Sequence, residues 1–337
     1  MRERLAVVFI HGVEINDAHF ADTAIALLKR SFARFSGVYP DDALVIRPAF
    51  WAPVLQTGQD ELLDRVGGAG AIEYFRALNR LGTRAAAGST AALVTMAASG
   101  LIRWLPCARD FHFPTLRWLA VHYIGDAVAY QINSTERAMY DEVHAVVANT
   151  LGELAEVAGP TAPLCVISHS LGTVIASNFF YDLEVEHGFY PDEEETERPR
   201  SLVGPRTREF LDGGTSLERG ETLTFLYTLG SPLALWAGRL PDRGRPVLVP
   251  HPNAADHNPG IGGEWVNVYD PDDVIASPLK RLNGLYGEQV TADRRVSVGP
   301  RWMGWTPLAH PWYWNDRRVI DPIGRSLARA WAALGNT

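Results

Sequence analysis

Residues 163–172 read PLCVISHSLG, and the fold turns on this stretch. Leu164 to Ile167 is a short apolar run without polar alternation, the pattern of a strand buried on both faces of a parallel sheet. It leads straight into Ser168-His169-Ser170-Leu171-Gly172, after which an amphipathic helix is expected from about Leu171 to Leu183. A serine between such a strand and helix sits on a sharp turn at the carboxyl edge of the sheet. There its hydroxyl is expected to be exposed, and the next N–H, that of Leu171, to face the oxyanion of an attacked carbonyl. Strand and helix nearly touch at such a turn, so flanking positions must be small. Gly172 meets that demand, whereas Ser168 stands where glycine is usual. His169 is expected to point away from the Ser170 hydroxyl and to hydrogen-bond behind it.

Working outward, the rhythm on both sides is α/β. LAVVFI (Leu5 to Ile10) is a second buried strand, ending at His11-Gly12. Ile25, Leu28, Phe32 and Phe35 recur at helical spacing, and Leu44 to Phe50 reads as another strand. A mostly parallel central sheet with helices on both faces follows from this alternation. Residues of about 57–131 break the rhythm and read as a helical insertion rich in Ala and Gly. A long helix from about Ser134 to Val157 resumes it, with Asn133 and Glu136 as a capping-box start. Residues 184–221 read as a polar surface loop, a candidate lid, too polar to pack a core. Strands are expected at Thr224–Leu229, Glu264–Tyr269 and Arg294–Val298, and a final helix at Ile323–Leu334. The whole is read as one domain, 1–337.

A serine turn of this kind needs a base, an acid and a second oxyanion donor. The donor is expected from the loop after the first strand, where Gly12 lets the backbone turn close to substrate. Val13 N–H is the first candidate and Gly12 the second. The acid belongs on a turn beyond a later strand, and EWVNVYDPDDVIASPL offers Asp270, Asp272 and Asp273. Asp273 is favoured because Val274-Ile275 would anchor it against the core. Asp270 is the alternative, and Asp272 is expected to face solvent. In the chain order Ser, Asp, His, one histidine follows Asp273: His310, in LAHPWYWND. His11, His169 and Asp270 are kept as supporting or alternative residues.

Composition narrows the partners. A formal charge of −8 over 337 residues lacks the basic footprint a nucleic acid requires. Two cysteines, Cys107 and Cys165, make no disulfide framework. No signal peptide is read at the start, where Leu5 to Ile10 is already a strand, so a cytoplasmic location is expected. Ala85 to Ile102 carries no charge, but it is mostly Ala, Gly, Ser and Thr. A packed helix is favoured there, with peripheral membrane contact through 85–105 as the alternative. The spacing of His251, Asp256 and His257 fits no zinc pattern, and no phosphate-cradling glycine loop is present. No metal or cofactor is therefore expected.

VVFIHG, SHSLG, TLGSPL, VNVYDPDDVIASPL and AHPWYW occur in the order found in one family. With these motifs the chain resembles the lipase-like branch of the α/β-hydrolase superfamily, from residue 5 to about 315. It is closest to bacterial serine-esterase-like proteins and more distantly similar to GPI inositol-deacylase-like lipases. The resemblance implies an α/β-hydrolase fold, with Ser170, Asp273 and His310 at the triad positions and Val13 and Leu171 at the oxyanion positions. It implies hydrolysis of carboxylic esters of small-molecule or lipid-like acyl groups through an acyl-enzyme. It also makes Gly230-Ser231-Pro232 a structural turn. The chain departs from many relatives by opening directly on the His11-Gly12 strand, without an antiparallel hairpin. Other readings of the same motifs are a membrane-associated phospholipase or deacylase, thioester or amide chemistry, and a relict binding module.

Overall fold

The structure, a computed structural model, describes residues 4–13, 17–54, 130, 138–189, 202–211, 213–238, 244–299 and 307–335. The chain divides into two compact units: Met1–Gly12, Asp17–Trp51 and Tyr140–Thr337 form one, and Val13–Asn16 with Ala52–Met139 the other. The first unit holds the sheet. Residues 55–129, and with them nearly all of the expected insertion, Cys107 and the 85–105 segment, lie outside the described residues.

Six strands form one all-parallel sheet: β1 (Leu5–Ile10), β2 (Leu44–Ala49), β3 (Leu164–His169), β4 (Leu223–Leu229), β5 (Glu264–Tyr269) and β6 (Ala292–Arg295). Their spatial order is β2-β1-β3-β4-β5-β6. This is an α/β fold. β1, β3 and β4 are buried at every residue, as strands covered on both faces must be. Pro48 lies on β2, an edge strand, the place in a sheet where proline is tolerated. The polar sequence of β6 (ADRR) suits the other edge, where charge discourages pairing with a further strand.

From β1 the chain first winds outward to β2 and then returns to β3 on the other side of β1. Right-handed crossovers running in these opposite senses place their helices on opposite faces. They also make the carboxyl ends of β1 and β3 a topological switch point, where a crevice opens in α/β sheets. His11-Gly12 and Ser170 stand at those two ends.

The helices serving this frame are α1 (Asp22–Ser36), α2 (Ala138–Ala158), α3 (Leu171–Glu186), α4 (Pro205–Leu211) and α5 (Arg317–Ala333), with a 3₁₀ helix at Pro307–Asn315. α1 buries Ala24, Leu28, Ser31 and Phe32, so its inward face is rotated from the one expected. Phe35 lies at its margin, beneath the guanidinium groups of Arg34 and Arg325. α1 packs on α5, where Gly324 meets Ser31 closely enough that a Cβ would stand 2.5 Å from its hydroxyl.

Several boundaries differ from expectation. α3 runs one turn further, to Glu186, because Leu183 and Glu184 are still buried. The segment 184–221 is not uniformly a polar loop. Leu217 and Thr207 are buried, and α4 is capped by Asp141, whose carboxylate accepts Arg206 N–H at 2.8 Å and Thr207 N–H at 2.9 Å. The acidic run 192–197 lies outside the described residues. β6 begins two residues earlier than expected and ends at Arg295. α5 begins at Arg317 instead of Ile323, because the Asp316 side chain accepts Arg318 N–H and caps the helix upstream of Pro322. Among the described residues, no helix is long and apolar enough to cross a membrane.

Candidate functional site

The turn after β3 carries the most distinctive backbone of the described residues. Ser170 has φ +53° and ψ −129° and is the one described non-glycine residue with positive φ. Such a conformation costs about 1–3 kcal/mol and persists only where surrounding structure enforces it. Three bonds enforce it here. Ser170 N–H donates to Leu229 O on β4 at 3.0 Å, while Thr173 N–H and Oγ1 donate to Ser170 O at 2.9 and 2.7 Å. The Thr173 hydroxyl in turn meets Ser231 Oγ at 2.8 Å, which also accepts Leu233 N–H. The Gly230-Ser231-Pro232 turn therefore braces the serine turn.

Close packing fixes the neighbours. A Cβ on Gly172 would stand 2.4 Å from both Ile10 O and His11 O. A Cβ on Gly12 would stand 2.5 Å from Ser170 Cβ and 3.1 Å from Ser170 Oγ, so the end of β1 lies directly against the serine. Ser168, in the position where glycine is usual, is fully buried and donates to Tyr227 O at 3.2 Å. Ser170 itself is only 4% exposed, contrary to the open hydroxyl expected, because Gly12 and the His310 ring stand over it.

Ser170, His310 and Asp273 form one hydrogen-bonded chain. His310 Nε2 lies 2.8 Å from Ser170 Oγ, and its Nδ1 lies 2.7 Å from Asp273 Oδ2. With Nδ1–H donating to the carboxylate, Nε2 presents a lone pair to the serine O–H. Burial pushes the Asp273 carboxyl up. Hydrogen bonds from His310, Ile275 N–H and Tyr313, with the His310 charge, outweigh that and hold it below the usual carboxylate range. Its Oδ1 accepts Ile275 N–H at 3.0 Å. The anchor expected from Val274 is absent, since Val274 is 74% exposed; a backbone amide, not apolar burial, fixes this acid.

Asp270 takes another task. Its Oδ1 accepts Asp272 N–H at 3.0 Å and its Oδ2 accepts Val298 N–H at 2.7 Å, tying the turn to the chain beyond β6. Asp273, not Asp270, receives the His310 N–H. Asp272 is exposed, as expected. Behind the turn, Asp293 accepts Asn267 Nδ2–H and Leu279 N–H, each at 2.8 Å, which steadies the segment leading out of Asp273.

The remaining histidines support this chain. His169 lies beside His310, ring centroids 4.8 Å apart, and its Nε2–H donates to His310 O at 2.9 Å. Burial first, then the positive charge available to His310, pull it down to about 3, so it stays neutral. His11 accepts Trp51 N–H at Nε2 (3.2 Å) and stacks on the Trp51 ring at 4.6 Å, while Trp51 Nε1–H donates to His11 O at 2.9 Å. His11 Nδ1–H therefore points to Gly12 O, 2.6 Å away, which fixes the plane of the Gly12–Val13 peptide. Burial pulls His11 down to about 3 against that bond. Val13 belongs to the other compact unit. Leu171 N–H heads α3, whose first-turn amides lack partners within the helix and carry its positive dipole end.

No protein-family model, curated protein or solved structure matches this chain.

One participant is not marked by the sequence. Tyr313, fully buried, donates its hydroxyl to Asp273 Oδ2 at 3.0 Å. Its position three residues after His310 was the available signal, because side chains at i and i+3 eclipse in a 3₁₀ helix. Trp314 packs on His169 at 5.3 Å and on Phe9 at 5.5 Å, closing the apolar side of the cluster. His251, Asp256 and His257 are remote in role: His251 Nδ1 accepts Asn253 N–H, and Asp256 is exposed. Among the described residues, no group of three or more metal-ligating side chains is assembled. The arrangement around Ser170 can take a proton from a hydroxyl, hold the resulting imidazolium against a carboxylate, and offer a helix N-terminus to a nearby negative charge.

Proposed function

We propose that the protein is a serine hydrolase of the α/β-hydrolase type, cleaving carboxylic esters through an acyl-enzyme. One observation carries the reading: the unbroken chain Ser170 Oγ–His310–Asp273, at 2.8 and 2.7 Å, begins on a residue held at φ +53°. Strain and a continuous proton path at one buried point are what an activated nucleophile needs, and packing alone accounts for neither.

In this reading Ser170 Oγ attacks the ester carbonyl carbon as His310 Nε2 takes the hydroxyl proton. The imidazolium is held by Asp273, and the oxyanion rests on Leu171 N–H, with Gly12 N–H as the second donor. When the tetrahedral intermediate collapses, His310 returns the proton to the leaving alcohol. Water, deprotonated by the same imidazole, then releases the acid and restores Ser170.

An apolar substrate suits the surroundings. Val274 beside Asp273 and Leu235, 61% exposed after the Ser231 turn, are bare apolar side chains beyond the carboxyl ends of adjacent strands. Hydrolysis of p-nitrophenyl esters from acetate to decanoate tests this: kcat/KM is expected to rise with acyl length, and strict preference for acetate would contradict the lipid-like assignment.

A further inference from the structure

We infer that Tyr313 is a positioning residue for this chain of groups, its hydroxyl proton holding the Asp273 carboxylate and setting how strongly that carboxylate draws the His310 N–H. Its catalytic meaning rests on the hydrolase reading above, whereas its hydrogen-bond geometry does not.

The direction of each bond follows from donor counting. Asp270 N–H can only donate, and it lies 2.8 Å from the Tyr313 oxygen. The phenol has one proton of its own, and Asp273 Oδ2, an acceptor 3.0 Å away, receives it. Burial, and then the Asp273 charge, push the Tyr313 hydroxyl up, so it remains protonated and a donor. Asp273 Oδ2 is therefore shared between His310 Nδ1–H and Tyr313 O–H, while Oδ1 accepts Ile275 N–H.

Sharing has a chemical consequence. A carboxylate oxygen accepting two hydrogen bonds is less basic toward each than one accepting a single bond. Tyr313 thus moderates the pull of Asp273 on His310 while fixing the oxygen in place. The other polar and titratable groups around this carboxylate do not duplicate the role. Asp270 turns both oxygens to backbone amides, Ser170 lies on the far side of His310, and His169 stays neutral and bonds to His310 O. Tyr313 alone among them donates a side-chain proton that substitution can remove or strengthen without displacing His310.

Two variants test this: Tyr313→Phe, which deletes the donor, and replacement of Tyr313 by 3,5-difluorotyrosine, which keeps both contacts and strengthens the donor. The readouts are the pH titration of the downfield His310 Nδ1 proton by NMR and the acid limb of fluorophosphonate labelling. The phenylalanine variant is expected to move the NMR midpoint and the acid limb upward by about half to one pH unit. It should also slow labelling at pH 7 by about tenfold. The difluorotyrosine variant is expected to move both downward, and it carries the test alone should Tyr313→Phe fail to fold. Folded variants whose midpoints coincide with wild type would reduce Tyr313 to packing and overturn the inference. A wild type that resists labelling while the NMR midpoints move as described would overturn the hydrolase reading and leave the role of Tyr313 standing.

Discussion

The turn after β5 holds Asp270, Asp272 and Asp273, and the loop before β5 holds His251, Asp256 and His257. Both bring titratable groups together within a few residues. In the loop the polar groups hold the protein to itself. His251 N–H donates to Leu223 O and its Nδ1 accepts Asn253 N–H; Asn258 donates to Thr161 O, and His257 lies 3.7 Å from Glu221. In the turn Asp270 does the same work, but Asp273 is spared for a side chain from a distant segment, His310. Residue type made both segments candidates. What separates them is that the partner delivered to Asp273, His310, is itself bonded to Ser170, so the turn is joined to the strained serine whereas the loop is not.

The sharpest way to break this contrast is inside the turn itself. Asp273→Asn keeps the shape but removes the charge that orients His310, so fluorophosphonate labelling at pH 7 is expected to slow by about three to four orders of magnitude. Asp270→Ala leaves the Val298 and Asp272 amides without their acceptor. It is expected to lower the unfolding free energy by about 1–3 kcal/mol in urea titrations, with labelling of the folded fraction changed by less than about tenfold. A larger loss of labelling from Asp270→Ala than from Asp273→Asn would make Asp270 the acid and reverse the assignment.

Acid titration separates the two regions less strongly. Histidines 11 and 169, pulled down to about 3, and His251, pulled down to about 4, all first by burial, are neutral in the folded protein yet take up protons once unfolded, near 6.5. Their contribution to stability is complete above about pH 6.5 and is lost as pH falls toward 3–4, at up to about 1.4 kcal/mol per pH unit for each histidine. Urea midpoints are therefore expected to drop steadily from pH 7 to pH 4. Both His169→Gln and His251→Gln should flatten that slope, and a slope unchanged in both would contradict their burial as neutral rings.

The smallest effect is the most discriminating for the loop. His251→Gln is expected to leave labelling of the folded protein within about twofold of wild type, the range for a side chain remote from chemistry. His169→Gln, which disturbs the bond to His310 O, is expected to slow it. Equal slowing by both would mean that the loop takes part after all.

Much of the frame was legible because buried parallel strands write themselves as mostly apolar runs: LAVVFI, LCVIS, TFLYTL and WVNV are all strands. Edge strands and helix starts were less so. β6 is short and charged, and α5 begins at a capping aspartate upstream of a proline that reads as a stop. At the site, Ser170, His310 and Asp273 were each named from sequence, and the structure brings them within hydrogen-bond distance. Tyr313 was hidden because tryptophans flank it and its 3₁₀ geometry has no strong sequence mark. Asp273 was favoured over Asp270 for an apolar anchor that Val274 does not provide; the amides that occupy Asp270 come partly from beyond β6, outside any local pattern.

The central claim is that Ser170 is an activated nucleophile, and reaction with a fluorophosphonate probe tests it most directly. Purified wild type and a folded Ser170→Ala variant would be exposed to the probe at pH 7–8 and the labelled residue located by peptide mass spectrometry. Stoichiometric labelling of wild type at Ser170, absent in the variant, is the expected result. A folded wild type that takes no label, or takes it equally in both proteins, would contradict the account.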